Sequence, residues 1–397
     1  MVVDRTSRFA ACLALVAIVS VVGCAGSAGN ATPPSTSAPY PTAAPTQPVD
    51  LQGVLDHRRE TYGAPGAVLA IDIAGVRQIL VSGARDIAGD VLTPNDRFRI
   101  ASITKPIVAA LVLDAVAQGQ LTLDDTVANI LPGVVRGEPA ITVRQVLDHT
   151  SGVFDEGNEG DPIADVEQLT DPAIQNEARD VIERWQAGER VIAPDRVIVA
   201  LAETHDRYNL PGLGYHYSNP NYQIAAMFLE KVTGKPLGKL LADRIAMRLD
   251  LERTTVAPPD LDAPEMRGYQ QGDDMTLTDV TDDFLGFGNG GNGGIKSTAG
   301  EVLTVMEAIV SGRLFPAELV TQMKTSTLGS YGLGLGKYSF TCGPFYGHEG
   351  SVNGTRSVAV VSDDGSSGVV IALNANTPSE PELPLVAERM ICPSLAN

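Results

Sequence analysis

The chain has 397 residues, 44% of them hydrophobic and 19% charged, with a formal net charge of −19. That length suits one large domain or two closely packed ones. The acidic balance argues against a nucleic-acid ligand, which needs clustered Lys and Arg, and fits a soluble, self-repelling body.

Residues 1–23 read as a leader: Arg5 and Arg8 form a basic start, followed by the apolar run FAACLALVAIVSVV. The run is too short to span a membrane. Its ending, Val21 to Cys24, resembles a bacterial lipobox, which implies cleavage before Cys24 and lipidation of that thiol; a plain secretory signal is the alternative. Residues 24–49, rich in Pro, Ser, Thr and Ala, read as a disordered tether. The expectation is an exported protein, lipid-anchored to the outer face of the cell membrane. Cys12 and Cys24 belong to the leader region, so Cys342 and Cys392 are expected to pair as a disulfide in the folded part.

The folded part, 50–397, opens with a helix over 50–63 and two strands in 65–75 and 77–86, joined by a tight turn at Ala74-Gly75. Residues 98–116 read as a buried helix, apolar almost all round, with Gly119 ending it and Ser102 near its start. A short helix follows in ITVRQVLDHTSG. Residues 155–205 are read as helices and loops, with a lid over the site among the possibilities. Helical periodicity returns over 221–234, 237–250 and 297–312, the last capped by Ser297 or Thr298. Strand texture then runs through 331–340, 345–350, 355–365 and 367–376, and a helix over 380–390 closes the chain. Strands at both ends imply an α/β sheet built from both termini, about 50–120 and 300–397, with a helical insertion at about 121–299.

Some motifs are excluded. Gly286, Gly288 and Gly291 have G-x-G-x-x-G spacing, but no strand precedes them and no βαβ unit surrounds them, so they read as a flexible or closely packed loop. There is no G-x-S-x-G elbow, no Cys/His cluster with zinc spacing, and His348-Glu349 does not continue into H-E-x-x-H. No metal or cofactor is expected.

The chemistry rests on Lys105. A lysine in an apolar helix either snorkels to water or has a partner that needs it. Ser102 lies three residues before it, on the same helical face. A serine hydroxyl becomes a nucleophile when a neighbouring base takes its proton, and burial lowers a lysine pKa enough to make it that base. Pro106 adds a local conflict in the early helix. In YHYSNPNY, Tyr217 and Asn219 point the same way if extended, and Pro220 biases Asn219 to that form; a helix cap at Asn219 is the plainer reading. In GHEGS, His348 sits between glycines on a strand.

Taken in order, S-x-x-K, Y-x-N and H-x-G resemble the serine β-lactamase and penicillin-binding family, in its class C β-lactamase and D-Ala-D-Ala carboxypeptidase branch. VLDHTSGV and GGIKSTAGEVL support the resemblance, which spans about 50–390. It implies an antiparallel sheet flanked by helices plus an all-helical subdomain, with the site between them. It also implies Ser102 as the acylated nucleophile, Lys105 as its activator, Tyr217 as a proton shuttle and Asn219 as a holder of the substrate amide. His348 would stand where many relatives carry the Lys of K-T-G. The backbone N–H groups of Ser102 and Ser351 would form the oxyanion hole, with Glu349 and Gly350 in the substrate-binding strand. Glu349 replaces a Thr or Ser that helps bind the substrate carboxylate, which counts against strong β-lactam or D-Ala-D-Ala hydrolysis if it faces the pocket. The expected protein is a monomeric serine hydrolase acting on a small peptide, a β-lactam or an ester, with an esterase and a weakly catalytic cell-wall-binding lipoprotein as rivals.

Overall fold

Along the first strand, β1 (Gly66–Ile73), Ala67, Leu69 and Ile71 join one hydrophobic cluster while Val68 and Ala70 join another. A strand buried on both faces belongs in the middle of a covered sheet. The computed structural model, which describes residues 49–137, 140–189, 191–256, 265–281, 290–377 and 382–395, places it there. The leader, Cys24, residues 25–48 of the tether, Gly286 and Gly288 lie outside the described residues.

The main sheet has six antiparallel strands in the order β2-β1-β11-β10-β9-β8. β2 (Val76–Gly83) follows β1 through a turn at Ala74 and Gly75, both with positive φ. β8 (Gly336–Phe340), β9 (Gly343–Val352), β10 (Thr355–Ser362) and β11 (Gly368–Leu373) come from the C-terminal part. The sheet is thus built from both termini, as expected. Helices α1 (Leu51–Thr61) and α14 (Leu383–Leu395) cover one face, and a disulfide between Cys342 and Cys392 joins the β8–β9 turn to α14.

The opposite face merges into the larger cluster, centred on α2 (Thr104–Ala117), α9 (Pro220–Thr233) and α12 (Ala299–Val310). Thr298 caps α12, accepting from the N–H of Glu301. Between lie α3 (Val127–Ile130), α4 (Val143–Leu147), α5 (Glu156–Glu159), α6 (Pro162–Asp165), α7 (Pro172–Gln186) and α8 (Asp195–Ala202). α10 (Leu237–Leu241) and α11 (Met247–Leu249) flank a wider helical turn, so 237–249 is nearly continuous. α13 (Ala317–Lys324) escaped the sequence reading.

Three expectations need correcting. The helix does not begin at Phe98: Phe98–Arg99 is a short strand, β3, paired with Ser297 and Lys296 of β7 (Ile295–Ser297). A single turn of 3₁₀ helix, Ala101–Ile103, then leads into α2. The Pro106 conflict dissolves, because Pro106 falls in the first turn of α2, where N–H groups have no intrahelical acceptor. The insertion is also not all-helical, since β4 (Thr255–Val256), β5 (Tyr269–Gln271), β6 (Leu277–Asp279) and β7 form small sheets, completed by β3 and by β12 (Ala375–Asn376). Among the described residues, no helix is long and apolar enough to cross a membrane.

Candidate active site

Ser102 sits on the 3₁₀ turn, partly exposed, immediately after Ala101, whose φ of 51° places a non-glycine residue in the left-handed region. Such conformations cost about 1–3 kcal/mol and persist where the surroundings impose them. One constraint is β9: a Cβ added at Gly350 would collide with the Ile100 carbonyl oxygen. Only a glycine lets the strand lie this close to the Ser102 turn. Ser351, the next residue, is exposed beside it.

Lys105 does not snorkel. It is fully buried, and its Nζ lies 3.0 Å from Ser102 Oγ, 2.8 Å from Asn219 Oδ1 and 2.9 Å from the Asn292 carbonyl oxygen. Burial pulls its pKa down to about 7, against the opposing charge of Asp155. The last two partners settle what the neutral amine does. Both accept only, so they take the two N–H groups that remain and leave the lone pair directed at Ser102 Oγ. The Asn219 amide is fixed this way round because its Nδ2 donates to Asp155 Oδ1 at 3.1 Å, and that carboxylate also accepts from the Asn219 N–H at 2.9 Å. The Asp155 pair of bonds also explains why Asn219 is αR and not extended, against the expectation from Pro220. Asn219 makes no side-chain cap to α9, so the plainer reading fails too.

Tyr217 Oη donates to Ser102 Oγ at 2.9 Å, and its ring centroid lies 4.9 Å from Lys105 Nζ. Desolvation holds its pKa well above the ordinary phenol range, so it carries a proton to give. His348 is buried, with its ring 6.2 Å from that of Tyr217. Its Nδ1–H donates to the Glu349 carbonyl oxygen at 2.5 Å, which leaves Nε2 to accept from the Tyr331 hydroxyl at 3.0 Å. Burial and the Lys105 charge push its pKa down to about 3, so His348 stands neutral where the resemblance would place a lysine. Glu349 pairs with Val358 of β10 while His348 pairs with Ala359. Paired residues share a face, so Glu349 projects to the α1/α14 side and His348 to the α2 side. Glu349 therefore does not project from the same face as His348.

Sequence reasoning missed four contributors. Asp155 orients Asn219; Asn292 acts through its backbone and carries no side-chain signature; Tyr331 fixes the His348 ring. His149, with φ of 59°, is buried against the rings of Tyr217, Tyr222 and Tyr331, and accepts at Nδ1 from the Ser218 N–H at 3.1 Å. The glycine-rich loop had a signal: a Cβ at Gly291 would collide with the Tyr222 carbonyl oxygen, so this close packing on α9 is what delivers Asn292 to Lys105.

Comparison with known proteins gives a consistent picture. The family model described as Beta-lactamase matches residues 51–388. Penicillin-binding protein 4 of Amycolatopsis lactamdurans is 27% identical over 346 residues, 81% of this chain and 83% of that protein. A D-aminopeptidase of Brucella canis is 27% identical over 215 residues, 53% of this chain but only 36% of the relative's length. Among solved structures, a D-stereospecific amidohydrolase from Streptomyces sp. has a TM-score of 0.70 at 30% identity, covering 85% of this chain and 98% of that one. The D-amino acid amidase of Ochrobactrum anthropi SV3, at 23% identity and a TM-score of 0.71 over 87% and 96% of the two chains, shares the fold.

Proposed function

This chain belongs to the β-lactamase family and is a serine hydrolase of that fold, and on that premise we propose that it cleaves amide bonds of D-aminoacyl amides or short D-residue peptides through an acyl-enzyme on Ser102. The observation that carries the chemistry is the buried Lys105 Nζ lying 3.0 Å from Ser102 Oγ while two acceptor-only partners occupy its other contacts. Ser102 Oγ attacks the substrate carbonyl carbon as its proton passes to Lys105 Nζ. The oxyanion is met by the backbone N–H groups of Ser102 and Ser351. The C–N bond then breaks, Tyr217 gives its proton to the departing nitrogen and regains one from Lys105. Water attacks the acyl-enzyme by the reverse proton path and releases the acid.

The substrate class follows from two supports. The Streptomyces amidohydrolase is similar over nearly its whole length, and the Brucella D-aminopeptidases over part of theirs. A neutral His348 also supplies no fixed positive charge for a C-terminal carboxylate. The resemblance to a penicillin-binding protein keeps a carboxypeptidase as the second reading. Steady-state kinetics on D- and L-phenylalanine amide, an N-acyl-D-Ala-D-Ala peptide and p-nitrophenyl acetate separate the readings. The proposal expects kcat/KM for the D-amide to exceed that of its enantiomer by about 100-fold or more, with none of it left in Ser102→Ala. Preferred cleavage of the acylated dipeptide would favour the carboxypeptidase, turnover of the ester alone an esterase, and no Ser102-dependent turnover a binding lipoprotein.

The same proposal puts the enzyme outside the cytoplasm, anchored through a lipid on Cys24; the Cys342–Cys392 disulfide suits an oxidising compartment. Metabolic labelling with a fatty acid should mark the wild type and not Cys24→Ser. An unlabelled, freely secreted wild type would contradict the anchor.

A further inference from the structure

One residue beyond Asp155, the Glu156 carboxyl group is enclosed with nothing to bond. The residue is 2% exposed, and neither of its oxygens has a hydrogen-bond partner. A buried polar group without a hydrogen-bond partner is expensive, and native structures rarely keep one without a reason. Around it, Asp165 Oδ2 lies 2.9 Å and Glu156 Oε2 3.9 Å from His205 Nε2, and the three ligand atoms lie within 4.8 Å of one another. We propose that Glu156, Asp165 and His205 form a divalent-cation site, with zinc the ion that this ligand set fits best.

Zinc takes imidazole nitrogen and carboxylate oxygen at about 2.0–2.2 Å in tetrahedral geometry, so its ligand atoms stand about 3.3–3.6 Å apart. Small side-chain rotations close the observed trio onto one ion. Two carboxylates and a neutral imidazole also balance a charge of +2. The ligands are held from behind, as metal ligands usually are. Asp165 Oδ2 accepts from the Asp161 N–H at 3.0 Å and Oδ1 from Gln168 Nε2 at 2.9 Å, while the Phe154 ring stacks on His205 at 4.0 Å. Glu156 and Asp165 are buried and His205 is partly exposed, which leaves an entry path and a fourth position for water. The ligands come from α5, the end of α6 and the turn after α8. The ion therefore clips that segment together, next to the Asp155 that orients Asn219. Its role is structural, and it stands independently of which substrate the serine takes. The spacing of 156, 165 and 205 matches no short zinc motif, which is why the sequence did not show it.

The test is metal binding to the full, untagged chain after chelator treatment, by calorimetry and elemental analysis with zinc, manganese and calcium chloride, and by thermal unfolding with and without each ion. Expected are one zinc per chain, a saturable rise in Tm, and binding weakened about tenfold or more in both Glu156→Gln and His205→Ala, with the exposed His57→Ala unchanged. His205→Ala alters the more exposed ligand, so it reads the site even if Glu156→Gln folds poorly. Absence of stoichiometric binding by the wild type, a preference for calcium over zinc, or equal binding in the two ligand variants would overturn the assignment.

Discussion

Replacing Gly350 by Ala adds one methyl group where β9 meets the Ser102 turn. The new Cβ would overlap the Ile100 carbonyl oxygen, and also Ser357 Oγ, while ordinary contact begins near 3.4 Å. Ser357 can rotate its hydroxyl away, but the Ile100 oxygen is main chain two residues before Ser102 and has no such freedom. The strand and the turn must therefore separate by about 1 Å. Overpacking of this kind costs about 1–3 kcal/mol, and a 1 Å misplacement of a reacting group costs about 100-fold in rate. We expect Gly350→Ala to remain folded with Tm lowered by a few degrees, and to lose about two orders of magnitude in kcat/KM on the preferred amide. The double variant Gly350→Ala/Ser357→Ala removes the movable obstacle and leaves the fixed one, so it should stay impaired. Activity within threefold of wild type in the single variant, or full recovery in the double, would refute the reasoning.

Other outcomes follow from the same geometry. Only the unprotonated Lys105 amine accepts a proton, so with its pKa near 7 the logarithm of kcat/KM should rise with unit slope below that pH and level off above it; a flat profile from pH 5 to 8 would count against Lys105 as the base. His348, pushed down to about 3, should add no break in that range. Tyr217→Phe keeps the ring and removes the O–H on Ser102, so kcat should fall by about 10²–10⁴-fold with stability little changed; a kcat within threefold of wild type would remove Tyr217 from the proton path. The Cys342–Cys392 bridge closes a 50-residue separation, and Cys342→Ala/Cys392→Ala should lower unfolding stability by about 2–4 kcal/mol in denaturant titration without altering the pH profile.

The parts of this molecule that could be read from its sequence are those governed by local rules. Two strand-like runs around the Ala74-Gly75 turn marked the β1–β2 hairpin, Thr298 the start of α12, and the misfit of Lys105 in an apolar run led to Ser102. What stayed hidden depends on pairing across the chain. Phe98–Arg99 looks helical until Ser297 and Lys296 pair with it, and the Ala101 left-handed turn has no local cause, since β9 enforces it from about 250 residues away. Asn292 contributes a carbonyl oxygen, which any residue type carries, and Asp155 acts through Asn219. The α13 segment is different: Leu319, Val320 and Met323 are buried at helical spacing after Pro316, a local signal only eight residues long, too short for periodicity alone to mark a helix.

The claim on which the rest depends is that Ser102 is acylated. Intact-mass analysis of the protein after brief exposure to an activated D-aminoacyl ester and, separately, to a penicillin, followed by peptide mapping, tests it directly. A single acyl adduct is expected on the peptide carrying Ser102 with the ester, absent from Ser102→Ala and slow to form in Lys105→Ala. An adduct that persists in Ser102→Ala, or maps to another residue, would contradict it.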